Sequence, residues 1–284
     1  MNERKVDSAE NKSSIGLAIF CNQAPLTLES SLESFKKSGL MSQFDDICVF
    51  FIGEAPGDRA VAERFAIRST VIPEVGGFGE AVATIPETLK TDYILTVDYD
   101  CHVWERKSTE DLRGQLEEAI GLLQRDAADL VRLKHSWLKN SRHHSTSLYS
   151  YFYTIDQLSS KWRQSEPLFD SPAWLKKIRR LLHPILAKRV IGRAVYVEES
   201  PHLKFPGYIH KDGNFFIADS SVFPWTNQPS LISRGFLEKT MAKAIHQPFR
   251  MQGCLTPEDF EDALNSKEWR QSHFRIAVAP GMFI

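Results

Sequence analysis

The chain has 284 residues, a formal net charge of −1, 42% hydrophobic and 25% charged residues. These are the proportions of an ordinary globular chain, neither disordered nor fibrous, with core enough for one large domain or two small ones. A charge so close to zero gives no reason to expect nucleic acid as a partner.

Residues 1–13 are polar and predict a disordered tail without the apolar stretch of a secretory signal. The run 15–21 (IGLAIFC) is short and continuously apolar, as in a strand buried on both faces. Pro25 opens a helix with Leu28, Leu32 and Phe35 at helical spacing, ending near Gly39. A second buried strand is expected over 46–52, a short helix over 57–66 and a third, weaker strand over 70–73. The loop Gly76-Gly-Phe-Gly79 precedes a helix over 80–89, and 93–97 (YILTV) forms a fourth strand. Residues 108–126 predict a capped helix with the stripe Leu112, Leu116, Ile120 and Leu123. Further on, strands are expected over 129–133, 214–218 and 274–279, and helices over 230–245 and 257–264, while 134–170 shows no period.

Strands alternating with helices predict an α/β sheet with helices on both faces, whose ligands bind beyond the carboxyl ends of the strands. Asn22-Gln23, Gly53-Glu54, Glu74-Val75 and Asp98-Tyr99-Asp100 are placed there. On an extended chain, residues i and i+2 point the same way, so the Asp98 and Asp100 carboxylates converge. Two such groups repel unless a cation lies between them, and hard oxygen donors suit Mn2+ or Mg2+, which usually also hold phosphates.

At this point the stretch 15–105 resembles the nucleotide-sugar-binding half of GT-A-type glycosyltransferases, particularly the family 2-like group. The resemblance is carried by Leu26-Thr-Leu-Glu-Ser-Ser-Leu-Glu-Ser-Phe35 after the first strand, Glu54 after the second, the glycines of 76–79, and the Asp98-Tyr99-Asp100 triplet. It departs from that group in its first loop, Phe20-Cys-Asn22, and in Glu54-Ala-Pro-Gly-Asp58. It implies a GT-A-like α/β fold, with a mixed, mostly parallel sheet flanked by helices. A single domain is expected over 14–284, with a donor half over 14–105 and an acceptor half over 106–284. The activity implied is metal-assisted transfer of a hexose from a nucleotide-sugar donor to a glycan or lipid-linked acceptor. Asp98 and Asp100 would be the metal ligands, and Asn22, Glu54, Gly77, Gly79 and Asp98 the donor-binding residues. The glycines equally suit a plain turn or close approach of backbone N–H groups to a phosphate. A non-catalytic sugar- or nucleotide-binding protein, or a Mg2+-dependent nucleotidyltransferase, remain alternative readings.

In the second half, Trp225 and Asn227 suit contact with a sugar, or else a loop anchored by a buried tryptophan. His102 lies two residues beyond Asp100 and can line the acceptor side. Asp219, at the end of a strand, is the preferred candidate for a general base, with Asp212 and Glu238 as alternatives. Members of the resembled group often carry a C-terminal histidine as third metal ligand; His273 is the nearest here. The segment 173–193 is basic and amphipathic, with Leu175, Ile178, Leu182 and Ile185 at helical spacing and Pro184 interrupting. Its basic face either rests on anionic lipid or is solvated while the apolar stripe packs on the core. Cys21, Cys48, Cys101 and Cys254 form no CxxC pair, and a cytoplasmic protein with reduced thiols is expected, with peripheral membrane contact open.

Overall fold

The computed structural model describes residues 13–134, 145–156, 168–241 and 256–284. The tail 1–12, His143-His144 and Cys254 lie outside the described residues. Ser13, the last residue of the expected tail, accepts a hydrogen bond from Gln124 at 2.9 Å.

The first half alternates as its sequence predicts: β1 (Ile15–Cys21), α1 (Pro25–Lys37), β2 (Asp46–Ile52), α2 (Asp58–Arg64), β3 (Arg68–Ile72), α3 (Gly77–Thr88), β4 (Tyr93–Asp98), α4 (Thr109–Gln124) and β5 (Leu130–Lys134). Then come α5 (Ser145–Phe152), α6 (Ala173–Leu182) and α7 (Pro184–Ile191), the hairpin of β6 (Ile209–Asp212) and β7 (Phe215–Asp219), and β8 (Ser230–Ser233). The chain closes with α8 (Pro257–Leu264), α9 (Lys267–Gln271) and β9 (Arg275–Phe283). Among the described residues nine strands make one mixed sheet, in the order β3-β2-β1-β4-β8-β5-β9-β7-β6. The pairings of β1 with β2 and β4, and of β2 with β3, are parallel. β8 lies antiparallel between β4 and β5, and β7 antiparallel between β9 and β6. β1–β6 and β9 therefore point one way, and β7 and β8 the other.

Residues of alternating parity feed two cores. Leu17, Ile19, Val49, Phe51, Leu95 and Val131 face α1, α2 and α4. Ala18, Phe20, Phe50, Ile94, Leu130 and Ile276 face α3, α7 and α8. Burial on both sides is why the strands read as unbroken apolar runs.

Two sequence expectations change. The segment from Ser230, expected to be helical, begins as β8, because Leu231 and Ile232 are buried on opposite faces of a central strand. The helix starts only at Arg234. The basic segment is also oriented the other way round. Pro184 does divide it into α6 and α7, but Lys176, Arg179 and Arg180 turn inward. Lys176 Nζ donates to the Tyr153 carbonyl at 3.0 Å, Arg179 to Tyr151 at 3.2 Å and Arg180 to Phe152 at 2.6 Å. These are the last carbonyls of α5 and the residue after it, which have no acceptor role inside the helix and sit at the negative end of its dipole. Burial pushes the Lys176 amine below its ordinary pKa. Trp174, Ile178, Leu181 and Leu182 of the same helix face out.

A glycine is required where β9 meets β5. A Cβ at Gly281 would overlap the Leu133 carbonyl, at the irregularity between Arg132 and Lys134. This close approach carries the end of β9 across to residues 102–104.

Candidate active site at the carboxyl edge of the sheet

The chain builds β1, β2 and β3 outward in one direction and then returns to place β4 on the other side of β1. The gap between the carboxyl ends of β1 and β4 is thus a topological switch point, where α/β sheets open a crevice for ligands. Asn22 follows β1 there, and Asp98 ends β4 opposite Phe20.

Asp98 and Asp100 are not on one extended face. Asp98 is the last strand residue, and the chain turns through Tyr99 and Asp100, closed by the Cys101 N–H donating to the Asp98 carbonyl at 3.1 Å. The two residues are therefore neighbours in a four-residue turn and do not share one face of a strand. Asp98 is half-buried and Asp100 exposed. Burial pushes the Cys101 thiol up to about 12, the charges of Asp98 and Asp100 add to the rise, and Lys134 opposes it. Lys134 was not singled out by the sequence. The ladder Thr96–Ser230–Arg132 sets it level with Asp98 two strands away, roughly 10 Å across.

The turn is held by α1. The buried Ser31 donates its hydroxyl to the Tyr99 carbonyl at 2.6 Å, the Val103 N–H donates to Ser34 Oγ at 3.0 Å, and Ser30 is hydrogen-bonded to His102 Nε2 at 3.1 Å. The serines of the Leu26–Phe35 motif thus position the carboxylate turn. From the other side, Ile284 and His102 exchange backbone hydrogen bonds of 2.9 and 3.3 Å, and the Trp104 N–H donates to Met282 at 2.8 Å. His102 lies over an open groove of about 600 Å³ lined also by Ser30, Glu33, Lys37, Trp104 and Lys107. Ser31→Ala removes the donor to the turn. It is expected to cost about 1–2 kcal/mol of stability and to weaken divalent-cation affinity about 10–100-fold, as loss of an outer-shell partner does. Calorimetric Mn2+ titration checks this; unchanged affinity in a folded variant would show that the serine does not position the turn.

Among the described residues no group of three or more His, Cys, Asp or Glu side chains is arranged to hold a metal. Asp98 and Asp100 would offer a metal two carboxylates. That fits Mg2+ or Mn2+, which keep several waters and take their remaining ligands from substrate phosphates; it does not fit a closed structural metal site.

The other candidates are placed as follows. Glu54 is exposed beyond β2 and pairs with Arg59 at 3.1 Å. Gly77 has φ 58°, a left-handed conformation that glycine adopts without strain. Its N–H, like that of Gly76, donates back to carbonyls of residues 73–74, so for these two the turn reading holds. Gly79 is buried in the first turn of α3. Trp225 is buried, edge-on to Phe260 and Trp269, with its backbone N–H and carbonyl both bonded to Asn265. It therefore anchors a packed loop and offers no ring face to a sugar. Asn227 accepts from the Trp225 indole at 3.2 Å and stays half-buried just before β8, at the Asp98 end of the sheet.

The structure does not bring Asp219 to the carboxylate turn. β7 runs against β4, so its end lies at the opposite edge. By register Asp98 stands two residues above Thr96 and Asp219 three residues below the same level, about 16 Å along the strands and about 19 Å across four of them. His273 pairs with Asp219 at 2.9 Å and is equally remote, so it is no third ligand. Asp212 is tied to Arg125 at 2.9 Å. Glu238 pairs with Arg234 at 3.9 Å, and the Arg234 N–H donates to Asp92 just before β4. Burial pushes the Asp219 carboxyl up, but hydrogen bonds from Ser221 and His273 outweigh it and leave the group below the usual carboxylate range. A carboxyl lowered in the folded state stabilises above its unfolded pKa and loses that contribution as pH falls through its folded value. Asp219→Asn is expected to cost about 1 kcal/mol near neutrality and to reduce the loss of stability in acid. Turnover should change by less than about twofold; a hundredfold fall would return Asp219 to the chemistry.

No family model matches the chain, and no curated protein does. Among solved structures, glucosyl-3-phosphoglycerate synthase from Mycobacterium tuberculosis in complex with Mn2+, uridine diphosphate and phosphoglyceric acid aligns at 18% identity and TM-score 0.34, over 43% of this chain and 43% of that one. The same enzyme in complex with Mn2+, uridine diphosphate and glucosyl-3-phosphoglycerate aligns over 96% of this chain and 72% of its own, at 12% identity and TM-score 0.46. S. aureus TarS residues 1–349 in complex with UDP-GlcNAc aligns over 48% and 38%, at 16% identity and TM-score 0.36. The match to the first of these spans less than half of its length.

Proposed function

We propose that the chain is a glycosyltransferase that takes a sugar from a nucleotide-sugar donor, with Asp98 and Asp100 holding Mn2+ or Mg2+ against the donor diphosphate. The observation that supports this most is the position of the two carboxylates, in a turn at the switch point between β1 and β4. A divalent ion there would neutralise the charge that develops on a departing nucleoside diphosphate. In this reading Asn22 and Glu54 contact the nucleoside, Lys134 adds positive charge on the far side of the diphosphate, and Asn227 meets the transferred sugar. The groove under His102 and Trp104 and the second half of the chain remain for a glycan or lipid-linked acceptor.

Incubation with a panel of nucleotide sugars and Mn2+ tests the reaction class. Release of a nucleoside diphosphate supports glycosyl transfer. Release of pyrophosphate from sugar phosphate and nucleoside triphosphate would replace it with nucleotidyl transfer, and absence of either reaction across the panel would overturn it.

A further inference from the structure

The outward face of α6 and α7 is a continuous apolar stripe. Trp174, Ile178, Leu181, Leu182 and Ile185 follow one another at helical spacing, and Leu181, Ile185 and Trp174 are 80%, 71% and 64% exposed. A soluble helix ordinarily presents the reverse. The inversion is fixed by the protein itself, since Lys176, Arg179 and Arg180 are committed to the carbonyls that end α5 and to the Tyr151 and Tyr153 rings. The helix cannot roll to hide its apolar side without breaking those contacts.

The helices that carry the stripe are cationic. Residues 171–197 contain seven lysines and arginines and no aspartate or glutamate. Of these, Lys177 and Lys188 are exposed and Arg189 is half-buried beside the stripe, with Lys188 lying 5.5 Å from the Tyr208 ring centre. A second copy of the chain would bring like charges together around such a face. Of the internal segments outside the described residues, 135–144 and 242–255 carry no acidic residue and 157–167 carries one, Glu166. An apolar stripe with a tryptophan at one end and a cationic rim matches the interface of a bilayer, where the side chains enter the acyl boundary and the cations meet anionic headgroups. No helix among the described residues is long and apolar enough to cross a membrane.

We propose that α6 and α7 form an interfacial anchor that seats the protein on an anionic lipid surface, apolar face inward. The anchor stands whether or not the protein transfers sugars.

Flotation of the full chain with vesicles of phosphatidylcholine alone, or of phosphatidylcholine and phosphatidylglycerol in equal parts, tests it. Binding is expected on the anionic vesicles and to weaken as salt is raised. Leu181→Glu and Ile185→Glu alter exposed positions, so the fold should be kept. Each is expected to weaken binding at least about tenfold, and Lys177→Glu with Lys188→Glu to abolish the preference for the anionic lipid. Failure to float with either vesicle, or equal binding to both, would overturn the proposal. So would a wild-type dimer in light scattering that Leu181→Glu turns into a monomer, since the stripe would then be covered by a second copy.

Discussion

Asp98→Asn is expected to abolish metal-dependent turnover, by at least about 10²–10³-fold, while the protein remains folded. The substitution keeps the shape of the side chain and removes its charge. The strand ends at the same residue, because the Asp98 backbone carries the β4 pairing and the closing bond from Cys101. On the proposed reading, what is lost is half of a two-carboxylate donor set, and no group of three or more acidic, histidine or cysteine side chains among the described residues is arranged to replace it. Asp100→Asn should behave alike. Because the charges of both residues also act on the Cys101 thiol, the two variants should make that thiol more acidic, a change visible in the pH dependence of its alkylation. Undiminished turnover in either variant would remove the metal role.

Trp225→Ala is expected to cost about 3–5 kcal/mol of stability, read from urea denaturation. The indole fills a space between Phe260 and Trp269, and its N–H donates to Asn227. Asn265 clamps the backbone at the same residue. Emptying that space should loosen the loop that leads into β8 and hence the Asn227 side of the site. Trp225→Phe should be milder, since it keeps most of the packing. Stability near that of the wild type, together with a selective loss of donor binding, would put the ring in the ligand site instead of the core.

These two residues show where the sequence was sufficient and where it was not. The strand that ends at Asp98 was legible because a buried parallel strand is an unambiguous apolar run, and the carboxyl end of such a strand is where these sheets bind ligands. The strands and helices from residue 15 to 134 followed for the same reason. The partners of β4 were not legible. β8 is four residues long, and a short apolar run does not distinguish a central strand from a helix start. Without β8 the direction of β7 is unknown, and Asp219 was placed at the wrong edge of the sheet for want of that one reversal. Trp225 has the composition of a sugar-binding residue, but the asparagine and aromatic rings that bury it come from residues 260–269. The basic helix was misjudged for a related reason. Its two stripes are both visible in the sequence, and only α5, whose carbonyls claim Lys176, Arg179 and Arg180, decides which one turns inward. Ser31 and Ser34 lay inside a motif already singled out, yet their contact with the turn at 99–103 spans some seventy residues of chain.

The most direct measurement of the central claim is calorimetric binding of a panel of nucleoside diphosphates, with and without Mn2+, to the wild type and to Asp98→Ala. The account predicts that one nucleotide binds in the presence of Mn2+, and that this binding disappears in the variant although its thermal unfolding is unchanged. Binding that is indifferent to Mn2+, or that survives in Asp98→Ala, would contradict it.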